Sequence, residues 1–562
     1  MSQFITISAA DLFIENAIKF ENKNINTEYV PVELNDAKFG IINLKTVAKT
    51  VTEKEQEFIF MIDCSGSMSD MCSDKRSKMQ HIIHTLKNMI LYFKENSNIK
   101  VHITIYAFDD HIFDILERSP VTNENFAEII QKVDSIIPRD STNIEIALSK
   151  VRECANKIKT DYPNSNICHI FMTDGEVTTG EKSAEILSEL VDRTITNAFI
   201  GFGIEHDADL LGTIGTGEKT NYYFVDKLEN SGLVYGEILH DILYKFMTNV
   251  RLTVQNGLIY DFKKNIWSET LNVGEIVSEA NKIYHIASSE TEDCFVTITG
   301  TIGSEQNFEL IISNQSEPED LTKYIYRQRT LQHLYSVKDF ILRKKNREYN
   351  DDNDRDELLF SRIINNYNVF CNQENIIKQG LQTFMKEMKK YMKDNNLIED
   401  KFMKNLCDDI FICYRTFNTK FGNMYVNARQ TSQGSQRYYA VRETPRNLNS
   451  CNLMLDDFDD DASAIYSELA SSSMPNRIPA APKLKRHKNN SFDCTNNAFD
   501  LSNINNHNLN LGLDDVTMDD ANFEHHEMSN IDDDPYLTPN STQIMREISN
   551  ARNFVFEKEK QL

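Results

Sequence analysis

Short apolar runs alternate with segments whose apolar residues recur every three or four positions between residues 55 and 248. The runs predict strands over 57–62, 99–108, 111–116, 166–172, 195–203 and 221–225. The periodic segments predict helices over 76–94, 123–134, 143–159, 183–192 and 231–247. In the first of these, Met79, Ile82, Ile83, Leu86, Met89, Ile90 and Phe93 share one face. Asp109-Asp110-His111 is a tight polar turn between two strands, so one edge strand is expected to run antiparallel. Right-handed crossovers then place helices on both faces of a doubly wound, mostly parallel α/β sheet.

The pattern changes along the chain. Residues 1–54 hold short apolar runs in a polar background, suited to a strand or two packed on the neighbouring domain. Over 249–314 short strands and turns predict a small antiparallel β module. Over 315–430 three stripes predict a helical bundle: Leu321 to Ile341, Ile377 to Tyr391, and Phe402 to Phe417. Residues 431–562 are rich in Asn, Ser and Asp, with an acidic cluster at 456–461, and read as a disordered acidic tail. Within it, the patches 462–469 and 541–556 are candidates for folding on a partner.

Composition narrows the function. A formal charge of −25 over 562 residues argues against a general nucleic-acid or anionic-membrane binder. Ten scattered cysteines without Cys-x-x-Cys spacing fit neither a zinc ribbon nor a disulfide scaffold. No run of about 18 apolar residues offers a membrane span, and the first residues lack a signal-peptide pattern. The expectation is an intracellular protein, cytoplasmic, with a nuclear or virion location as the variants.

The candidate chemistry sits where strands end. Asp63-Cys64-Ser65-Gly66-Ser67 comes directly after the apolar run Phe58 to Ile62, without a break. Thr142 precedes a helical pattern, and Asp174-Gly175 comes after the run Ile167 to Met172. Hard oxygens from three loops above one sheet suit a small divalent cation. These pieces resemble a von Willebrand factor type A domain, particularly intracellular eukaryotic and giant-virus members with a β-plus-helical extension. The resemblance implies a Rossmann-like fold and a metal-ion-dependent adhesion site made by Asp63, Ser65, Ser67, Thr142 and Asp174. It implies Mg2+ as the cofactor, with Mn2+ or Ca2+ as substitutes, and a partner protein that donates a carboxylate to the metal. Gly66 and Gly175 would permit close backbone approach in the loops. Asp140-Ser141 departs from the small glycine-rich residues often found before the threonine.

Other motifs carry less. Asp352-x-Asp354-x-Asp356 begins like a calcium loop, but Glu357 replaces the needed glycine and Ile363 the final ligand. His81 and His84 share a helix face without a third ligand and read as surface or boundary residues. Gly201-Phe202-Gly203 lacks the third glycine of a dinucleotide site and reads as a strand packed under a helix. The basic run Lys483 to Lys488 is either a nuclear address or a solvated counter-charge. The leading expectation is a non-enzymatic, Mg-dependent protein-interaction module. The alternatives are a scaffold, as a ubiquitin-pathway adaptor or virion component, and more remotely a metal-dependent hydrolase.

Overall fold

Eight consecutive buried residues, Gln56 to Asp63, make the strand on which the α/β sheet is built, because both faces of a parallel strand are covered by helices. The computed structural model describes residues 12–13, 18–21, 37–46, 55–72, 75–175, 177–203, 206–217, 219–225, 231–289, 293–302, 306–312, 319–351, 359–417, 422–437 and 536–548. Strands β1 (Leu12–Phe13), β2 (Ile18–Phe20) and β3 (Ala37–Thr46) open the chain. The α/β sheet comes next, with β4 (Gln56–Asp63), β5 (Val101–Phe108), β6 (Ile112–Pro120), β7 (Asn166–Thr173), β8 (Thr196–Phe202) and β9 (Thr220–Val225). Its strand order is β6-β5-β4-β7-β8-β9. Every pair is parallel except β5–β6, joined antiparallel by the turn at Asp109-Asp110-His111. The mostly parallel, doubly wound architecture expected from periodicity is the one observed.

Helices α1 (Lys78–Glu95), α2 (Phe126–Asp134), α3 (Ile144–Asp161), α4 (Ala184–Leu190), α5 (Ala208–Ile214) and α6 (Ser231–Leu243) flank this sheet. Ser77 starts α1 with a reciprocal capping box: its hydroxyl accepts from Gln80 N at 3.2 Å while Gln80 Oε1 accepts from Ser77 N at 2.8 Å. The apolar face of α1 then meets β4, with the Phe93 and Phe58 rings 4.7 Å apart. The short α5 had no counterpart in the periodicity; Asp207 caps it, accepting from Leu210 N at 3.0 Å. Helix α6 ends earlier than its apolar pattern suggested. The apolar residues from Phe246 onward continue instead as a strand beginning at Lys245.

That strand is β10 (Lys245–Gln255), succeeded by β11 (Gly257–Asp261), β12 (Ile266–Ser268), β13 (Thr270–Val277), β14 (Asn281–Ser289), β15 (Phe295–Ile302) and β16 (Gln306–Ile312). They form two antiparallel sheets. One has the order β13-β10-β15-β16; the other runs β1-β3-β14-β11-β12, with β2 also on β3. The 249–314 segment therefore shares a sheet with strands from 1–54, and β3 pairs with β14 from Ala37↔Ser289 to Lys45↔Asn281. The alternation along β3 explains why. Ile42 and Leu44 enter a core with Leu252, Val254 and Ile298 of the facing sheet, while Phe39 and Ile41 pack on Leu321 and Ile325.

Leu321 leads into α7 (Thr322–Asp351), after which come α8 (Leu359–Asp394), α9 (Lys401–Thr416) and α10 (Gly422–Ser435). A buried ion pair fastens the last two: Arg429 Nη1 lies 2.9 Å from Asp409 Oδ1, and Gln433 Nε2 donates to Asp409 Oδ2 at 2.7 Å. The Tyr425 ring of α10 meets Phe224 of β9 edge-on at 5.9 Å.

Part of the expected acidic tail is ordered. A final helix, α11, spans 539–548 and lays Ile544, Met545 and Ile548 into the protein, each at most 3 % exposed. The candidate patch 541–556 thus folds in part, over 539–548, and it does so against α6 of this chain rather than on a partner. Its N-terminus is capped by Thr538, whose hydroxyl accepts from Ser541 N at 3.1 Å. At the other end Asn88 of α1 donates to Ile548 O at 3.3 Å. A Cβ on Gly236 of α6 would fall 2.6 Å from Met545 Cα, so the close approach of α6 and α11 requires glycine there. The patch 462–469, the acidic cluster, the basic run 483–488 and the segment 352–356 lie outside the described residues.

Candidate functional site

Three loops meet at the carboxyl ends of β4 and β7, the edge at which open α/β sheets bind ligands. The first leaves β4 at Asp63 and curls into a 3-10 turn, Gly66–Ser69. The second precedes α3 and holds Thr142; the third leaves β7 at Thr173-Asp174-Gly175. Backbone bonds lock the loops together. Gly66 N donates to Asp140 O at 2.9 Å, and a Cβ on Gly66 would press on that carbonyl at 3.3 Å. Asp140, the departure in the second loop, thus serves through its carbonyl, with its side chain exposed. Thr142 N takes the Thr178 hydroxyl as acceptor at 2.7 Å, and Thr178 N returns a bond to Thr142 O at 3.0 Å.

The structure brings all five candidate ligands to one place. Asp63, Ser65, Thr142 and Asp174 are each at most 2 % exposed, and Ser67 is half-buried. The Ser65 and Ser67 hydroxyls lie 3.0 Å apart, and Ser67 donates to Asp174 Oδ1 at 2.7 Å. Asp63 accepts from Ser65 N at 2.8 Å and from the Thr173 hydroxyl at 2.5 Å. Burial pushes the Asp63 carboxyl up to about 6, with the Asp174 charge adding to the rise and the Thr173 and Ser65 bonds opposing it. Gly175 lines the space where the oxygens converge. A Cβ there would touch Thr142 Oγ1 at 3.4 Å, Ser67 Oγ at 3.6 Å and Asp63 Oδ2 at 3.9 Å. One small group beside Gly175 of the third loop therefore fits within reach of two hydroxyls and a carboxylate carried by the first and second loops. That donor set, hard and mostly neutral, fits a magnesium-sized cation.

Two neighbours escaped the sequence reading. Thr173, the last residue of β7, looked like an ordinary strand residue but orients Asp63. Lys78, at the start of α1, sends its ammonium to Asp174 Oδ2 at 2.6 Å and to Asp70 Oδ2 at 3.3 Å. No local pattern marks Lys78, because its partner lies 96 residues away. Cys64, inside the first loop, is buried and free, its thiol donating to Phe108 O at 3.1 Å. Burial, with the Asp109 and Asp63 charges, pushes that thiol up to about 12, which leaves it unreactive.

Elsewhere His81 and His84 prove to be buried rather than surface residues: α1 turns both inward, and His84 Nε2 lies 3.3 Å from Asn88 Nδ2. A Cβ on Gly201 would collide with the His206 ring, so Gly201 permits tight packing under that side chain. Among the described residues, two acidic clusters also have metal-ligand proximity. In Glu55, Glu57 and His102, Arg118 already holds Glu57 with bonds of 2.6 to 3.1 Å. The second, Asp109, Asp110 and His111, is the β5–β6 turn beside the second loop, where Asn143 N donates to Asp109 O at 2.9 Å.

Fold and site together define a doubly wound α/β domain with an oxygen-lined cup at its strand ends. Residues 57–237 match the model of the von Willebrand factor type A domain, and the chain carries a domain of that family. It is 26 % identical over 252 residues to a von Willebrand factor A domain-containing protein of Dictyostelium discoideum, covering 41 % of this chain and 26 % of that protein. It is also 26 % identical over 242 residues to mouse inter-alpha-trypsin inhibitor heavy chain H3, covering 40 % and 25 %. The chain thus spans about a quarter of the length of these relatives. Among solved structures it is similar to VWA2, the ArnB paralog of Sulfolobus acidocaldarius, at 13 % identity and TM-score 0.44, covering 76 % of this chain and 99 % of that one. Among the described residues no helix is long and apolar enough to cross a membrane.

Proposed function

We propose that the domain at 55–248 is a non-enzymatic, Mg-dependent protein-interaction module, and that the cup above β4 and β7 is a metal-ion-dependent adhesion site. The observation that carries this reading is the convergence of Thr142, Ser67 and Asp63 oxygens around the space beside Gly175. Asp63, Ser65, Ser67, Thr142 and Asp174 would hold the ion. Mg2+ bound there supplies a positively charged coordination position that a partner's carboxylate can fill. The serine and threonine hydroxyls leave that charge under-neutralised, which favours an anionic partner group. The compartment we propose is intracellular, and because strands of 1–54 and 249–314 share a sheet, those two flanking segments form one β unit beside the module.

The test is partner capture from lysate on the full chain, with Mg2+ or with EDTA, comparing the native protein with Asp63→Ala and Ser65→Ala. Partners retained only with Mg2+ and lost in both variants support the module. An identical set in every lane leaves a scaffold whose metal merely stiffens the loops. Magnesium-dependent turnover of a phosphate ester, lost in Asp63→Ala, would replace both with a hydrolase.

A further inference from the structure

Lys78 stands where an anion would be expected. It is the first residue of α1, a helix end whose free N–H groups and dipole favour negative charge. Its backbone has no freedom to leave: Ser77 is held in the capping box, and Lys78 N donates to Asp70 O at 3.0 Å. The side chain instead folds back over the first loop, 15 % exposed, to reach Asp174, whose side chain is fully buried.

Two buried carboxylates, Asp63 and Asp174, share this cup, and an unpaired buried carboxylate is costly. The two are satisfied in different ways. Asp63 receives neutral donors only, the Ser65 amide and the Thr173 hydroxyl. Asp174 receives one hydroxyl, from Ser67, and one full positive charge, from Lys78. The Lys78 ammonium thus sits directly on a carboxylate that belongs to the proposed metal ligands.

We propose that Lys78 is a tethered cation that competes with the divalent ion for Asp174 and so sets the Mg2+ concentration at which the site loads. This rests on the metal-site reading above. Without the ion, Lys78 neutralises Asp174 and holds the third loop against the first. With a divalent charge in the cup the two cations repel, and the ammonium gives up part of its hold on Asp174. Asp70 Oδ2, already 3.3 Å from Nζ on a side chain 57 % exposed, is the acceptor toward which it moves. The site thus binds more weakly than its oxygens alone would allow, and it loads only above a threshold.

The experiment is isothermal titration of Mg2+ into the full chain, with thermal melts in EDTA, for the native protein, Lys78→Met and Lys78→Arg. Circular dichroism establishes that each variant folds. Lys78→Met is expected to bind Mg2+ about tenfold more tightly or better, since it keeps the stem and removes the opposing charge. It should also melt lower in EDTA, because Asp174 is left uncompensated. Lys78→Arg keeps the charge and should stay near the native affinity. Unchanged or weaker Mg2+ binding in Lys78→Met overturns the competition, since a purely structural lysine would lower the melt without tightening the metal. Absence of Mg2+ binding in both the native protein and Lys78→Met overturns the metal-site reading itself. Binding in Lys78→Met alone supports the competition in its strongest form.

Discussion

The Thr173 hydroxyl donates to Asp63 Oδ2 at 2.5 Å, so the last residue of β7 clamps the carboxylate at the end of its parallel neighbour β4. Two adjacent strand ends are thereby fixed before any ligand arrives. Thr173→Val preserves shape and removes the donor. The expected result is a loss of roughly 0.5–1.5 kcal/mol in Mg2+ binding, about two- to twelvefold in Kd, with the fold intact. Titration calorimetry reads the affinity, and an unchanged Kd would show that Ser65 N alone positions Asp63.

The metal-free fold should be acid-labile. Burial holds His169, His206 and His240 down to about 4, against an ordinary value of 6.5. As pH falls, the unfolded chain takes up these protons first, so stability is present above pH 6.5 and lost between 6.5 and about 4. Each histidine contributes roughly 1–2 kcal/mol of that loss by about pH 5. Asp63 acts in the opposite sense, because its carboxyl is held up to about 6 and the fold takes up its proton first. Three histidines outweigh one carboxyl. Melts in EDTA across this range should fall steadily, with a shallower slope in His169→Gln; a flat profile would contradict the buried neutral rings.

Docking of α11 should be measurable. Met545 is fully buried and its backbone meets Gly236 of α6 too closely for any side chain there. Met545→Glu and, separately, Gly236→Leu should each destabilise the protein by roughly 2–4 kcal/mol. Hydrogen exchange at 539–548 should become fast in both variants. Protection unchanged from the native protein would mean that the helix is held elsewhere.

The α9–α10 ion pair gives a graded test. Arg429 and Asp409 are 3 % exposed each, and Gln433 shares the carboxylate. Arg429→Ala leaves a buried charge without its cation and should cost roughly 3–5 kcal/mol. Combining Arg429→Met with Asp409→Leu should recover most of that loss, because neither charge is then stranded. Chemical denaturation of the single and double variants separates the two cases.

How much of this was legible depends on the range over which each cause acts. The strands from β4 to β9 and helices α1, α3 and α6 could be read because burial on two faces or one stripe imposes a local period. The five candidate site residues could be located because each adjoins such an element, and strand ends are where a parallel sheet presents side chains to a ligand. The α5 helix could not, because Gly212 and Thr213 interrupt its short apolar pattern and its start is fixed by the Asp207 cap.

Local order along the chain thus determined the α/β layering, the antiparallel β5–β6 hairpin and the three oxygen-bearing loops, since each arises from neighbours a few residues apart. Tertiary structure alone decided that β3 completes a sheet with β14, that α11 seats its Met545 against Gly236, and that Lys78 turns to Asp174. In each of these the partners are separated by tens to hundreds of residues, and their pairing depends on which surfaces the packed layers leave facing one another.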